Sequence, residues 1–250
     1  MRLYCFPHAG AGVSAFRRWP ASLGPKVQTV PVLLPGRDAR RREPRITGRR
    51  ALLADLLRHH GPLPQPPYVL YGHSLGGLIA YAVARSLEQA GRPGPSLVAV
   101  GACPPPDATV RLSDAADLPD DALLTLLTEV GAVPPDTPAG GVWQRTALAV
   151  IRDDLRLGGA LREAADGPLR APLLVVSGDA DPSAGPEVMA GWSRWTTGPV
   201  VRRTLPGDHF FLRGPALPRL LSRACRVVRR LEAAPPAPTA LEDTPVEDTQ

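Results

Sequence analysis

The stretch "YVLYGHSLGGLIAY", residues 68 to 81, constrains the chain more than any other. An apolar run stops at Tyr71, and Gly72 and Gly76 then stand two residues either side of Ser74. An apolar segment with helical spacing resumes and runs to Ala90 before Gly91. A strand that passes straight into a helix needs a turn too tight for side chains at its two flanks, and glycine removes the obstructing Cβ atoms. Such a G-x-S-x-G turn lifts the serine Oγ above a sheet, and the helix N-terminus behind it favours developing negative charge.

The surrounding pattern supplies a sheet of the required kind. Residues 2–6, 27–34, 68–71, 97–101, 171–178 and 200–205 read as short strands. Residues 48–60, 75–90 and 215–232 read as helices between or after them. Strands alternating with helices predict an α/β fold with a mostly parallel central sheet flanked by helices. Between about 104 and 168 only helical pieces appear, notably "PDDALLTLLTEV" and "VWQRTALAVIRDDLRL". A helical insertion between strands of a sheet enzyme is expected to form a lid. One domain over 1–232, with the lid inserted at about 107–165, is therefore expected. Residues 233–250 hold four prolines, four acids and no basic residue, and are expected to be a disordered tail.

No apolar run is long enough to span a bilayer, and the first residues lack a signal peptide's apolar core, so a cytoplasmic protein is expected. Cys5, Cys103 and Cys225 are too far apart for a zinc motif and suit a reducing compartment as core thiols. The net charge of +5 rests on arginine, with Lys26 the only lysine, and no nucleic-acid-binding motif accompanies it. The run Arg37, Arg40, Arg41, Arg42, Arg45, Arg49 and Arg50 reads as a solvated loop and helix face. Docking of an acidic partner domain is the sharper alternative for that run.

A serine hydroxyl needs a base. On this kind of sheet the order along the chain is serine, acid, histidine, and His209 is the last histidine after His73. The acid belongs after a late strand, where "LLVVSGDADP" offers Asp179 and Asp181. Pro182 keeps Asp181 extended and favours it; Asp208 adjoins His209 and is poorly placed to reach round to Nδ1. Oxyanion donors would be the N–H of Leu75 and an N–H of the loop "PHAGAG", with Ala9 the leading residue.

Taken in order, "CFPHAGAGVSAFRRW", "LLPGR", "YGHSLGGLIAYAVAR", "LPDDALLTLLTEVGAVPP", "PLLVVSGDADP" and "LPGDHFFL" resemble the type II thioesterases of the α/β-hydrolase superfamily, over roughly residues 3 to 230. These stand-alone enzymes serve polyketide and nonribosomal peptide synthases. The resemblance implies a nucleophile at Ser74, a base at His209, the triad acid at Asp181, and oxyanion donors at Ala9 and Leu75. It implies hydrolysis of acyl groups from the phosphopantetheine thiol of carrier proteins, to clear stalled or mis-primed synthases. It implies no metal and no cofactor beyond the phosphopantetheine that the substrate carries, and no nucleic acid or membrane partner; a monomer is expected. The sequence departs from the family at Asp208, where glycine is frequent. A carboxylesterase or acyltransferase would use the same triad, and a carrier-binding module without chemistry is the reading from another class.

Overall fold

The structure is a computed structural model describing residues 1–63, 65–109, 115–133 and 141–233. Six strands, β1 (Arg2–Phe6), β2 (Gln28–Pro31), β3 (Tyr68–His73), β4 (Leu97–Gly101), β5 (Leu173–Gly178) and β6 (Val200–Leu205), form one sheet in the order β2-β1-β3-β4-β5-β6. Every pairing is parallel. Parallel neighbours need a crossover, and helices lie in the connections: α1 (Trp19–Leu23), α2 (Arg49–His60), α3 (Leu75–Gln89), α4 (Asp120–Glu129), α5 (Val142–Glu163) and α6 (Pro186–Ala190), while α7 (Ala216–Ala233) follows the last strand.

β3, β4 and β5 are buried along their whole length, as strands covered on both faces must be. β6 lies at an edge and exposes Arg202 and Arg203, whose charges oppose pairing with another chain. β2 is shorter than the apolar run 27–34 suggests. Val32 and Leu34 are buried, but in the loop that follows the strand. Short helices the periodicity does not show, α1 and α6, are each at most five residues long.

The strand order reverses between β1 and β3, because β1 is followed by a strand on one side and β3 by a strand on the other. Ligand sites of open parallel sheets lie at the carboxyl ends of strands around such a switch point. The register pairs Phe6 with Gly72 and His73 with Gly101, so the loop after β1 stands beside the turn after β3.

The main apolar core surrounds the sheet and takes in Leu157 and Leu161 of α5. A second cluster, including Leu123, Leu126, Leu127 and Leu148, joins α4 to the earlier part of α5. The helical insertion is thus present, but α5 is rooted in the main core as well as in the lid. Parts of the expected lid, 110–114 and 134–140, and the expected tail from 234 onward lie outside the described residues. Among the described residues no helix is long and apolar enough to cross a membrane. Cys5, Cys103 and Cys225 are all buried and unpaired.

The reading of the arginine run as a solvated face is corrected in part. Arg37 and Arg40 are buried, in ion pairs with Asp154 and Asp55. A guanidinium in a bidentate pair can be carried inside where a lone charge cannot. Arg41, Arg42 and Arg50 are exposed as expected.

Candidate active site

Ser74 sits between β3 and α3 with φ 52° and ψ −119°. A non-glycine residue with positive φ is strained and persists only where its surroundings hold it. Here the Ser74 N–H donates to the Gly101 carbonyl at 2.8 Å and its carbonyl accepts from Gly77 N–H at 2.8 Å. A Cβ on Gly72 would run into the Gly76 carbonyl, and one on Gly76 into the carbonyl of Phe6. Both glycines are therefore required by close backbone approach.

His209 follows β6, and Asp181 follows β5. Their side chains meet, with His209 Nδ1 donating to Asp181 Oδ2 at 2.9 Å, and both residues are buried. The other carboxylate oxygen, Oδ1, accepts from Ser183 N–H at 2.9 Å, Ser183 Oγ–H at 2.9 Å and Ala184 N–H at 3.0 Å. Burial pushes this carboxyl upward, but the bonds from His209 and the two N–H groups outweigh it and hold the pKa at about 2. Asp181 is thus an anion with a fixed orientation. Asp179 turns elsewhere and accepts from Gly207 N–H at 2.9 Å. Asp208 accepts from Phe210 N–H at 2.8 Å. Of the three acids considered, only Asp181 is hydrogen-bonded to the His209 ring.

Sequence reasoning passed over His73, which is fully buried. Its Nε2 lies 2.7 Å from the His209 carbonyl, which can only accept, so the proton is on Nε2. Nδ1 then accepts from Tyr71 O–H at 2.7 Å. Burial, reinforced by His209 and His8, pushes the His73 pKa well down and keeps the ring neutral. This relay ties the backbone of His209 to the strand that carries Ser74. The only sequence signal for it is the position of His73 directly before the serine.

Ser74 and His209 both line a cavity of about 230 Å³. They are not hydrogen-bonded to each other in this structure, and such bonds in substrate-free sites commonly tighten when substrate arrives. Ala9 and Leu75 line the same cavity. Leu75 is the first residue of α3, where N–H groups have no acceptor within the helix. His8 stands there too, its pKa lowered to about 3 by burial first and by His209 and Arg213 second, so it is neutral near pH 7. The far wall comes from the insertion and is mostly apolar, including Leu124 and Leu127 of α4 and Leu148, Ile151 and Leu155 of α5, with Asp154 and Arg162 of α5 the charged residues in it. The combination is a polar corner opening into an apolar chamber, suited to a reacting carbonyl at one end and a hydrocarbon at the other.

Comparison with known proteins agrees with that geometry. A family model described as the thioesterase domain matches residues 1–226. A probable cadicidin biosynthesis thioesterase of Streptomyces griseus is 32% identical over 213 residues, covering 85% of this chain and 58% of its own length. Thioesterase PikA5 of Streptomyces venezuelae is 32% identical over 224 residues, covering 85% of this chain and 75% of its own. Among solved structures, the RedJ thioesterase of the prodiginine pathway in Streptomyces coelicolor is 38% identical, covers 89% of this chain and 84% of its own, and superposes with a TM-score of 0.76. The type II thioesterase BorB from the borrelidin cluster is 28% identical, covers 92% and 91%, and has a TM-score of 0.72. With a family model matching nearly its whole length and a sheet of the α/β-hydrolase kind, this chain belongs to the thioesterase family.

Proposed function

We propose that the protein is a type II thioesterase that removes acyl groups from the phosphopantetheine thiol of carrier proteins, editing stalled or mis-primed polyketide or nonribosomal peptide synthases. The observation that carries this reading is the Asp181–His209 pair beside Ser74 at the mouth of an apolar chamber roofed by the insertion. The names of the related proteins, thioesterases of cadicidin biosynthesis, the prodiginine pathway and the borrelidin cluster, support the substrate class.

In this reading Ser74 Oγ attacks the thioester carbonyl while His209 Nε2 takes its proton. Asp181 fixes the tautomer with the proton on Nδ1 and stabilises the imidazolium that forms. The N–H groups of Ala9 and Leu75 receive the negative oxygen of the tetrahedral intermediate. The carbon–sulfur bond then breaks, and His209 returns the proton to the departing thiol. Water, deprotonated by His209, attacks the acyl–Ser74 ester; the ester bond breaks, the proton goes back to Ser74 Oγ, and a free acid leaves. No step draws on a metal or cofactor of the enzyme. The carrier domain is the proposed partner.

Intact-mass measurement of several acyl-carrier proteins, with the wild type and Ser74→Ala, tests the reading. The wild type should return the free-thiol carrier and Ser74→Ala should leave it acylated while still binding it. Release by Ser74→Ala, or a strong preference of the wild type for small oxygen esters over acyl carriers, would overturn it.

A further inference from the structure

Asp154 is 2% exposed, although it lies on α5 in a segment whose neighbours Asp153 and Arg156 reach solvent. Its partner, Arg37, comes from the loop after β2, 117 residues away. The pair is bidentate: Nη1 donates to Oδ2 at 2.7 Å and Nη2 to Oδ1 at 2.6 Å. A buried charge pair is retained at a desolvation cost, so what else it holds becomes the question.

Both partners hold the loop that follows β1. Asp154 Oδ2 also accepts the Gly10 N–H at 2.7 Å, and Arg37 Nη1 also donates to the Ala11 carbonyl at 3.1 Å. Gly10 has φ +78°, and a Cβ there would stand 2.8 Å from Ile151 Cγ1, one turn before Asp154 on α5. The loop is therefore pressed against α5 at two points one turn apart. Asp38, next to Arg37, fastens its far end by accepting the Val13 N–H at 3.0 Å.

These anchors orient one particular peptide. The His8 carbonyl accepts from Ala11 N–H at 3.1 Å across a tight turn. In a trans peptide the N–H points opposite to the C=O, so the Ala9 N–H is directed away from that turn. The direction of the Ala9 N–H is thus set by the turn from His8 to Ala11, and that turn is pinned at Gly10 and Ala11 by Asp154 and Arg37. The same helix contributes Ile151, Leu155 and Gly158 to the wall of the apolar chamber.

We propose that Arg37 and Asp154 are positioning residues for the reaction: they hold the Ala9 N–H where the tetrahedral oxyanion forms, and they tie that donor to the helix that lines the acyl chamber. The inference rests on the functional reading above, in which Ala9 is an oxyanion donor. Because the donor acts on the charged intermediate, losing the anchor should affect the transition state and leave ground-state binding nearly alone.

The test compares wild type, Asp154→Asn and Arg37→Lys on acyl N-acetylcysteamine thioesters. Affinities are measured in parallel for an acyl trifluoromethyl ketone, which adds to the serine and presents an oxyanion, and for the free fatty acid of the same length. Removing one oxyanion donor costs roughly 10²–10³ in kcat, so a misdirected one should cost about 10- to 100-fold. The expected result is that fall in kcat at nearly constant KM, with a matching loss of ketone affinity and unchanged fatty-acid affinity. Unchanged kcat and ketone affinity, with only a lower melting temperature, would show that the pair merely braces the fold and would overturn the proposal. Arg37→Lys keeps the charge and removes the fork, and is read in the same way if Asp154→Asn does not fold. Ser74→Ala is run alongside: undiminished turnover by that variant defeats the underlying functional reading instead.

Discussion

Replacing Asp181 with asparagine separates two jobs that one carboxylate performs. The Oδ1 side, bonded to Ser183 and Ala184, organises the loop after β5, and the Oδ2 side holds His209. An asparagine can keep its carbonyl oxygen on the loop side. Its amide N–H₂ then faces His209 Nδ1 and can only donate, so the ring must carry its proton on Nε2. In that tautomer Nε2 cannot accept from Ser74, and the loss in kcat should be roughly 10³- to 10⁴-fold with little change in KM. Stability changes separately. Holding the carboxyl at about 2 instead of its ordinary 3.8 is worth about 2 kcal/mol at pH 7. Because the folded pKa is the lower one, this contribution is complete above about pH 4 and disappears as pH falls through about 2, with roughly half gone at pH 3. Urea unfolding of the two proteins at pH 7 and pH 3 measures the gap, and thiol release from an acyl N-acetylcysteamine thioester measures the rate. A variant within tenfold of wild-type kcat, or a stability gap that does not narrow at pH 3, would refute the reasoning.

Two further substitutions probe the supports of Ser74 and His209, the proposed nucleophile and base. Gly76→Ala drives a Cβ into the Phe6 carbonyl, so α3 must back away from β1. A displacement near 1 Å at the nucleophile costs on the order of 10²-fold in rate, and a kcat near that of wild type would show that the backbone is not constrained there. Tyr71→Phe strips the donor from His73 Nδ1 and leaves a buried acceptor unpaired, a loss of about 1–3 kcal/mol by denaturant titration. Unaltered stability would mean that the relay from Tyr71 to His209 is not formed.

Much of this architecture can be read before any coordinates are seen, for one reason: apolar periodicity reports burial. The strand at 97–101, buried throughout, and the helix over Leu75–Gln89, buried along its first turns, follow their patterns closely. The serine turn is legible because its glycines answer a local steric demand. Which of Asp179, Asp181 and Asp208 meets the His209 ring depends on tertiary geometry, which turns the other two into loop hydrogen bonds. Helices of five residues such as α1 and α6 are too short to show a period, and they owe their existence to tertiary burial of residues such as Trp19 and Met189. The Arg37–Asp154 pair is the clearest omission. A charge that will be buried against a partner 117 residues away looks, in sequence, the same as one that will face water.

The double allegiance of α5 has a consequence for how such enzymes change their cargo. Leu157 and Leu161 root the helix beside the sheet, whereas Leu148 belongs to the separate cluster shared with α4. Under the proposed function, exchanges among the roof residues alter the room left for an acyl chain, while the floor bearing the serine stays as it was. Selection for a new acyl group can act on one end of a single helix without dismantling the other.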